Sequence, residues 1–113
     1  MRVLVCGGRG YPADKVFAWL DAYPDKSKIS TIIHGGANGA DRAAGQWGMF
    51  EGVDVVVCLA DWKGLGPSAG PRRNQRMIDE ESPEIVIAFP GGRGTSDMVR
   101  RAKKAGIEVL EAK

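Results

Sequence analysis

Ile85-Val86-Ile87-Ala88-Phe89-Pro90-Gly91-Gly92-Arg93-Gly94-Thr95-Ser96-Asp97 is the stretch whose reading decides the fold. Its apolar opening gives a buried strand, Pro-Gly-Gly ends that strand, and Met98, Val99, Ala102 and Ala105 then follow at helical spacing. A strand that turns directly into a helix leaves the first helical N–H groups without partners, at the positive end of the macrodipole. Glycines let an anion approach such backbone, so the stretch reads either as a tight strand-to-helix turn or as a phosphate or carboxylate cradle. It is not a Walker loop, because no Gly-Lys-Ser/Thr follows, and it lacks the dinucleotide-binding Gly-x-Gly-x-x-Gly.

The same pattern recurs twice upstream. Val3 to Cys6 ends in Gly7-Gly8-Arg9-Gly10, and Thr31 to His34 ends in Gly35-Gly36-Ala37-Asn38-Gly39. Between them a helix is expected from about Pro12 to Tyr23, with Val16, Trp19, Leu20 and Tyr23 on one face. A second helix turns Ala40, Ala43, Ala44 and Trp47 inward, small residues that let it sit close to a sheet. Val53 to Leu59, apolar except for Asp54, reads as a strand covered on both faces. A loop from Ala60 to Gly70 leads to a helix from about Pro71 that Pro83 stops; Gly106 caps the last helix and Ile107 to Leu110 forms the last strand. Strands alternating with helices require a parallel sheet with right-handed crossovers. The expectation is a single three-layer Rossmann-like α/β domain over residues 1–113, with five parallel strands ordered 3-2-1-4-5.

With 113 residues, 43% hydrophobic and 27% charged, the chain suits one soluble domain with one core. No run approaches the roughly 18 apolar residues of a membrane span, and the start lacks a leader pattern, so a cytoplasmic location without membrane partners is expected. A net charge of +2 is too small for wholesale nucleic-acid coating. Two cysteines and one histidine make no metal site, and no metal or cofactor is expected. In the expected strand order Cys6 and Cys58 lie two strands apart, roughly 9 to 10 Å, too far for a disulfide.

Parallel strands place their C-terminal ends on one edge, where open sheets bind ligands at the reversal of strand order. Seven of the 16 basic residues, Arg9, Arg42, Lys63, Arg72, Arg73, Arg76 and Arg93, lie in segments leaving that edge. Arginine forks bind phosphate or carboxylate bidentately, so the rim suits an anion, with Arg73 and Arg9 the ones expected to point inward. Asp41 and Asp97 each fit helix N-terminal stabilisation as well as a ribose-binding or catalytic role. His34 fits a packed strand end or a base, and Trp62 fits a loop anchor or a stacking platform.

Pro90-Gly91-Gly92-Arg93-Gly94-Thr95 resembles the Pro-Gly-Gly-x-Gly-Thr signature of the SLOG superfamily, which includes the Lonely Guy phosphoribohydrolases. Arg73-Asn74-Gln75-Arg76-Met77 is similar to the Arg-Lys-x-x-Met motif of those enzymes. His34-Gly35-Gly36-Ala37-Asn38-Gly39-Ala40-Asp41 resembles a segment of the DNA-processing protein A family, which also carries an Arg-Asn pair like Arg73-Asn74. The order of all these motifs, with Gly7-Gly8-Arg9, Ala60-Asp61-Trp62 and Gly70-Pro71, resembles most the YspA-like, cpYpsA-related branch, small proteins of bacteria and phages. The resemblance implies a nucleotide or nucleotide-derived ligand held by Gly7, Gly8, Arg9, His34, Gly35, Gly36, Asn38, Asp41, Arg73, Asn74 and Pro90 to Thr95.

In the phosphoribohydrolases, the motif arginine and a glutamate ending Pro-Gly-Gly-x-Gly-Thr-x-x-Glu cleave the N-glycosidic bond. Arg73 matches that arginine, whereas the glutamate position falls on Met98. A thioether takes no proton, so hydrolysis would require Asp97, shorter and turned about 100° on the helix. The leading expectation is therefore a binding module acting as a sensor or sequestering protein. One alternative is a nucleoside 5'-monophosphate phosphoribohydrolase with Arg73 and Asp97 as catalytic residues. The other is single-stranded DNA binding, which needs more basic and aromatic residues than this rim supplies. Tryptophans on the helices also fit pairing of two copies through a helical face.

Overall fold

Five short strands, β1 (Arg2–Cys6), β2 (Thr31–His34), β3 (Asp54–Val57), β4 (Ile85–Ala88) and β5 (Glu108–Glu111), build one sheet in the computed structural model, which describes residues 1–113. All neighbours pair in parallel in the order β3-β2-β1-β4-β5. The helices are α1 (Ala13–Asp21), α2 (Ala40–Glu51), the short α3 (Trp62–Leu65), α4 (Ala69–Glu81) and α5 (Arg93–Lys104). This is the expected Rossmann-like order. No helix is long and apolar enough to cross a membrane.

Alternation along the central strands splits the interior into two layers. Val3, Val5, Ile32, Ile85 and Ile87 pack with Val16 and Leu20 of α1 and the small face of α2. Leu4, Cys6, Ile33, Val86 and Ala88 face the other way, onto Met77 and Ile78 of α4 and Met98 and Ala102 of α5. The close seat of α2 follows from its small residues: a Cβ on Gly48 would lie 2.9 Å from Val55 Cγ2. Trp47 is 1% exposed, and its buried Nε1 is satisfied by donating to Asp21 Oδ1 at 2.9 Å.

Gly106 ends α5 as its position predicts. At φ 75° it lets its own N–H donate to Lys103 O (3.1 Å) and that of Ile107 to Ala102 O (2.9 Å), which closes two orphan carbonyls in a Schellman motif. Ser82, in the left-handed region, and Pro83 similarly stop α4.

Three details differ from the sequence reading. The third strand is shorter, and as the edge of the sheet it is not covered on both faces: Val57 is 49% exposed and Leu59 beyond it 67%. Segment 60–70 is not a structureless loop, since it contains α3, a 3-10 turn at Gly66–Ser68 and the start of α4 at Ala69. Pro71 therefore sits third in the helix, within the first turn, where a missing N–H loses no intrahelical bond. Ala105 is exposed rather than inward, because α5 has already ended at Lys104.

Candidate functional site

The strand order reverses between β1 and β4, and a cleft of about 550 Å³ opens at their C-terminal ends. Its walls are the β1–α1 turn (Gly7, Gly8, Arg9), the β2–α2 turn (Gly35, Ala37), the first turns of α4 and the start of α5 (Gly92–Thr95). Asp41, Asp97, Cys6 and Trp62 also line it.

The three glycine turns are gathered here but do different work. Gly8 N–H donates to Pro90 O (2.9 Å) and Phe89 N–H to Cys6 O (2.9 Å), so the first and third turns clasp each other. A Cβ on Gly7 would lie 2.6 Å from Ala40 Cβ, which makes this glycine a packing requirement. In the second turn the amides of Gly35, Gly36 and Ala37 are already bonded, to Asp41, His34 and Asp41 respectively. In the first turn the amides of Gly7 and Arg9 stay unbonded, and the third turn adds a run of four: Gly92, Arg93, Gly94 and Thr95 precede the first intrahelical bond, Ser96 N–H to Gly92 O at 3.1 Å, and make none within the protein. That run of donors, at the positive end of a 12-residue helix, faces the cleft.

The first turns of α4 connect the opposite walls. Arg73 reaches toward β2 and β3, where its Nη1 donates to Gly35 O (2.7 Å) and Cys58 O (3.3 Å) and its Nε to Asn74 Oδ1 (3.1 Å). It is thus in the cleft but aimed at the wall opposite Gly91 to Thr95. Asn74, 4% exposed, turns the other way and donates to Gly94 O (3.2 Å) and Asp97 Oδ2 (3.0 Å). Burial lowers the Arg73 pKa and the charge of Asp41 works against that fall.

Neither acid caps its own helix. Asn38 is exposed and the N-cap of α2 is Gly39, so no capping box forms; Asp41 instead folds back on the β2–α2 turn. Burial pushes its carboxyl up to about 6, against the opposing pull of the Ala37 and Gly35 amides and of Arg73. Asp97 is the fifth residue of α5, and Arg100 Nη2 (2.6 Å), Arg101 Nε (2.8 Å) and Asn74 hold both its oxygens. Partial burial would raise its pKa, but these hydrogen bonds outweigh it and the net shift is downward. Met98, at the family glutamate position, is 1% exposed in the core under α5.

His34 lies outside the cleft lining. It packs beneath α2 with Nε2 against Gly45, and its Nδ1 accepts from Gly36 N–H at 3.0 Å, which fixes a neutral tautomer. Burial, then the charge of Arg42, lowers its pKa. Gly36 and Asn38 also lie outside the lining, and Pro90 and Gly91 face a separate cleft on the β5 side. Of the seven rim cations, Arg9, Arg73 and Arg93 line the cleft, whereas Arg42 and Arg76 bond to Gly36 O and Leu59 O. Sequence reasoning passed over Cys6, whose thiol is pushed up to about 12 by burial and by Asp41, and the Pro67, Gly70 and Pro71 wall. Gly70 carried a signal: a Cβ there would lie 2.9 Å from the Trp62 ring, so this glycine seats the indole. No three His, Cys, Asp or Glu side chains gather as a metal site would require.

A doubly wound parallel sheet with an amide-lined cleft at its switch point defines a ligand-binding Rossmann-like domain. The sequence profile of the YspA, cpYpsA-related SLOG family matches residues 1–64, and the chain belongs to that family. It is also similar to the Gene 61 protein of Mycobacterium phage D29, 41% identical over an alignment covering 96% of this chain and 94% of that one. Family membership points to nucleotide-related ligand binding in general.

Proposed function

We propose that the protein binds a nucleotide or nucleotide-derived ligand in this cleft, as a sensor or sequestering module. The observation that carries the reading is the meeting of four unbonded α5 amides, a guanidinium and an exposed indole on one cleft of about 550 Å³. That size suits a small ligand. The anionic group rests on the amides of Gly92 to Thr95 with Arg93 beside them, and Trp62, 51% exposed, offers a face to a base. Binding is favoured over N-glycosidic hydrolysis because Asp97 is engaged through both oxygens and held below its ordinary range, which makes it a poor proton acceptor.

Mass spectrometry of small molecules that co-purify with the protein, followed by calorimetry with nucleoside mono-, di- and triphosphates and a short oligonucleotide, tests this. The expected result is a phosphorylated nucleoside whose affinity falls at least tenfold in Arg73→Ala, with no free base released. Failure of every nucleotide to bind would overturn the reading, and affinity confined to the oligonucleotide with a steep salt dependence would replace it with single-strand binding.

A further inference from the structure

Asp41 is 6% exposed, yet only one of its carboxylate oxygens is used within the protein. Oδ2 accepts from the amides of Gly35 (3.0 Å) and Ala37 (3.4 Å), whereas Oδ1 accepts from none. No sealed side-chain oxygen lacks a partner, so Oδ1 is open, and the space beside Asp41 is the cleft. Arg73 stands nearby in the same wall. Its Nε and Nη1 are committed to Asn74, Gly35 and Cys58, and its Nη2 makes no hydrogen bond. The two side chains feel each other's charge without forming a direct ion pair.

A carboxylate oxygen only accepts and a guanidinium only donates; a hydroxyl does both and fits between them. We infer that Asp41 and Arg73 form a hydroxyl-reading subsite, so that the ligand is a ribonucleotide whose sugar hydroxyl donates to Asp41 Oδ1 and accepts from Arg73 Nη2. This inference rests on the nucleotide reading above and narrows it to a sugar class. The spacing suits it, because the Gly35 turn and the α5 start follow strands separated by β1, about 10 Å apart at the usual strand spacing, a gap that a ribose 5'-phosphate spans with a hydrogen bond at each end. A deoxy analogue leaves both groups desolvated and unpaired, which is how a polar site rejects a ligand lacking one hydroxyl.

Calorimetry with AMP, GMP, CMP and UMP and their 2'-deoxy and 3'-deoxy counterparts tests the subsite. The parent is expected to prefer a ribonucleotide at least tenfold over one of its deoxy forms. Asp41→Asn keeps an oxygen for the Gly35 and Ala37 amides while turning an NH₂ to the cleft, and it should cut that preference below threefold. Equal affinity for ribo and deoxy ligands in the parent, or a preference that survives in the variant, overturns the subsite and leaves the nucleotide reading standing; failure of all twelve, and of the corresponding di- and triphosphates, to bind overturns both.

A second measurement needs no substitution. Ribo and deoxy ligands carry the same phosphate, so its titration cancels in their affinity ratio. Between pH 5 and 7.5 Cys6 of β1 stays a neutral thiol and Arg73 of α4 stays charged, while His34 packs under α2 against Gly45 with its Nδ1 turned to the Gly36 amide. The ratio should fall several-fold at pH 5 as the carboxylate is neutralised, and an unchanged ratio counts against the subsite.

Discussion

Asp41 is held in the fold at a cost that depends on pH. Burial raises its pKa to about 6, so between the unfolded value near 4 and about pH 6 the folded chain binds a proton that the unfolded chain does not. Its contribution to stability is therefore complete below pH 4 and is lost as pH rises through 6, a change on the order of 3 kcal/mol. Urea denaturation of Asp41→Asn between pH 4 and 7.5 should show this slope flattened and the variant at least as stable as the parent at pH 7.5. Asp97 has the opposite sign: its pKa is lowered, so its contribution is present above the unfolded value and fades in acid. Met98→Ala should cost about 2 to 5 kcal/mol in urea melts without changing ligand affinity, because its side chain fills the core beneath α5. That these neighbours on α5 have separate fates was not legible in the motif alone; it follows from which face of the helix meets α4.

Among the elements, α5 brings a run of free amides to the cleft. Gly92 and Gly94 have open space where a Cβ would go, unlike Gly7 and Gly91, which press against neighbouring turns. Gly94→Leu replaces a poor helix former by a good one and should raise stability by about 0.5 to 1 kcal/mol, while its side chain on the cleft wall weakens ligand binding at least fivefold. Calorimetry and thermal melts on the same preparation separate the two effects. The strand-turn-helix punctuation was readable because strand period, glycine and helix period change within a few residues. Segment 60–70 was not, since four-residue α3 and the 3-10 turn are too short for periodicity and depend on Trp62 finding Gly70 in space.

At the scale of the whole molecule, a ligand that binds only the folded chain should raise the melting temperature by roughly 10 °C at a hundred times its Kd. Arg73→Ala, with its tenfold or greater loss of affinity, should cut that shift by about half or more at the same ligand concentration. Cys6 and Cys58 are both free thiols, on β1 and just beyond β3 with β2 between them. Thermal melts of the monomer with and without reductant should coincide, and a large difference would mean that the two thiols come within disulfide reach.

The alternation of apolar runs, glycine turns and amphipathic helices was enough to determine the parallel sheet and the edge that carries the cleft, because these depend on periodicities local in the chain, and the strand order then followed the Rossmann-like pattern of right-handed crossovers. The partners of each charge were decided only by the tertiary structure. Arg73 points to Gly35, Asn74 to α5, and Asp41 back to its own turn because side-chain direction depends on which helix face meets which strand end. Burial then set the proton affinities, since desolvation is a property of the packed surroundings and no motif encodes it.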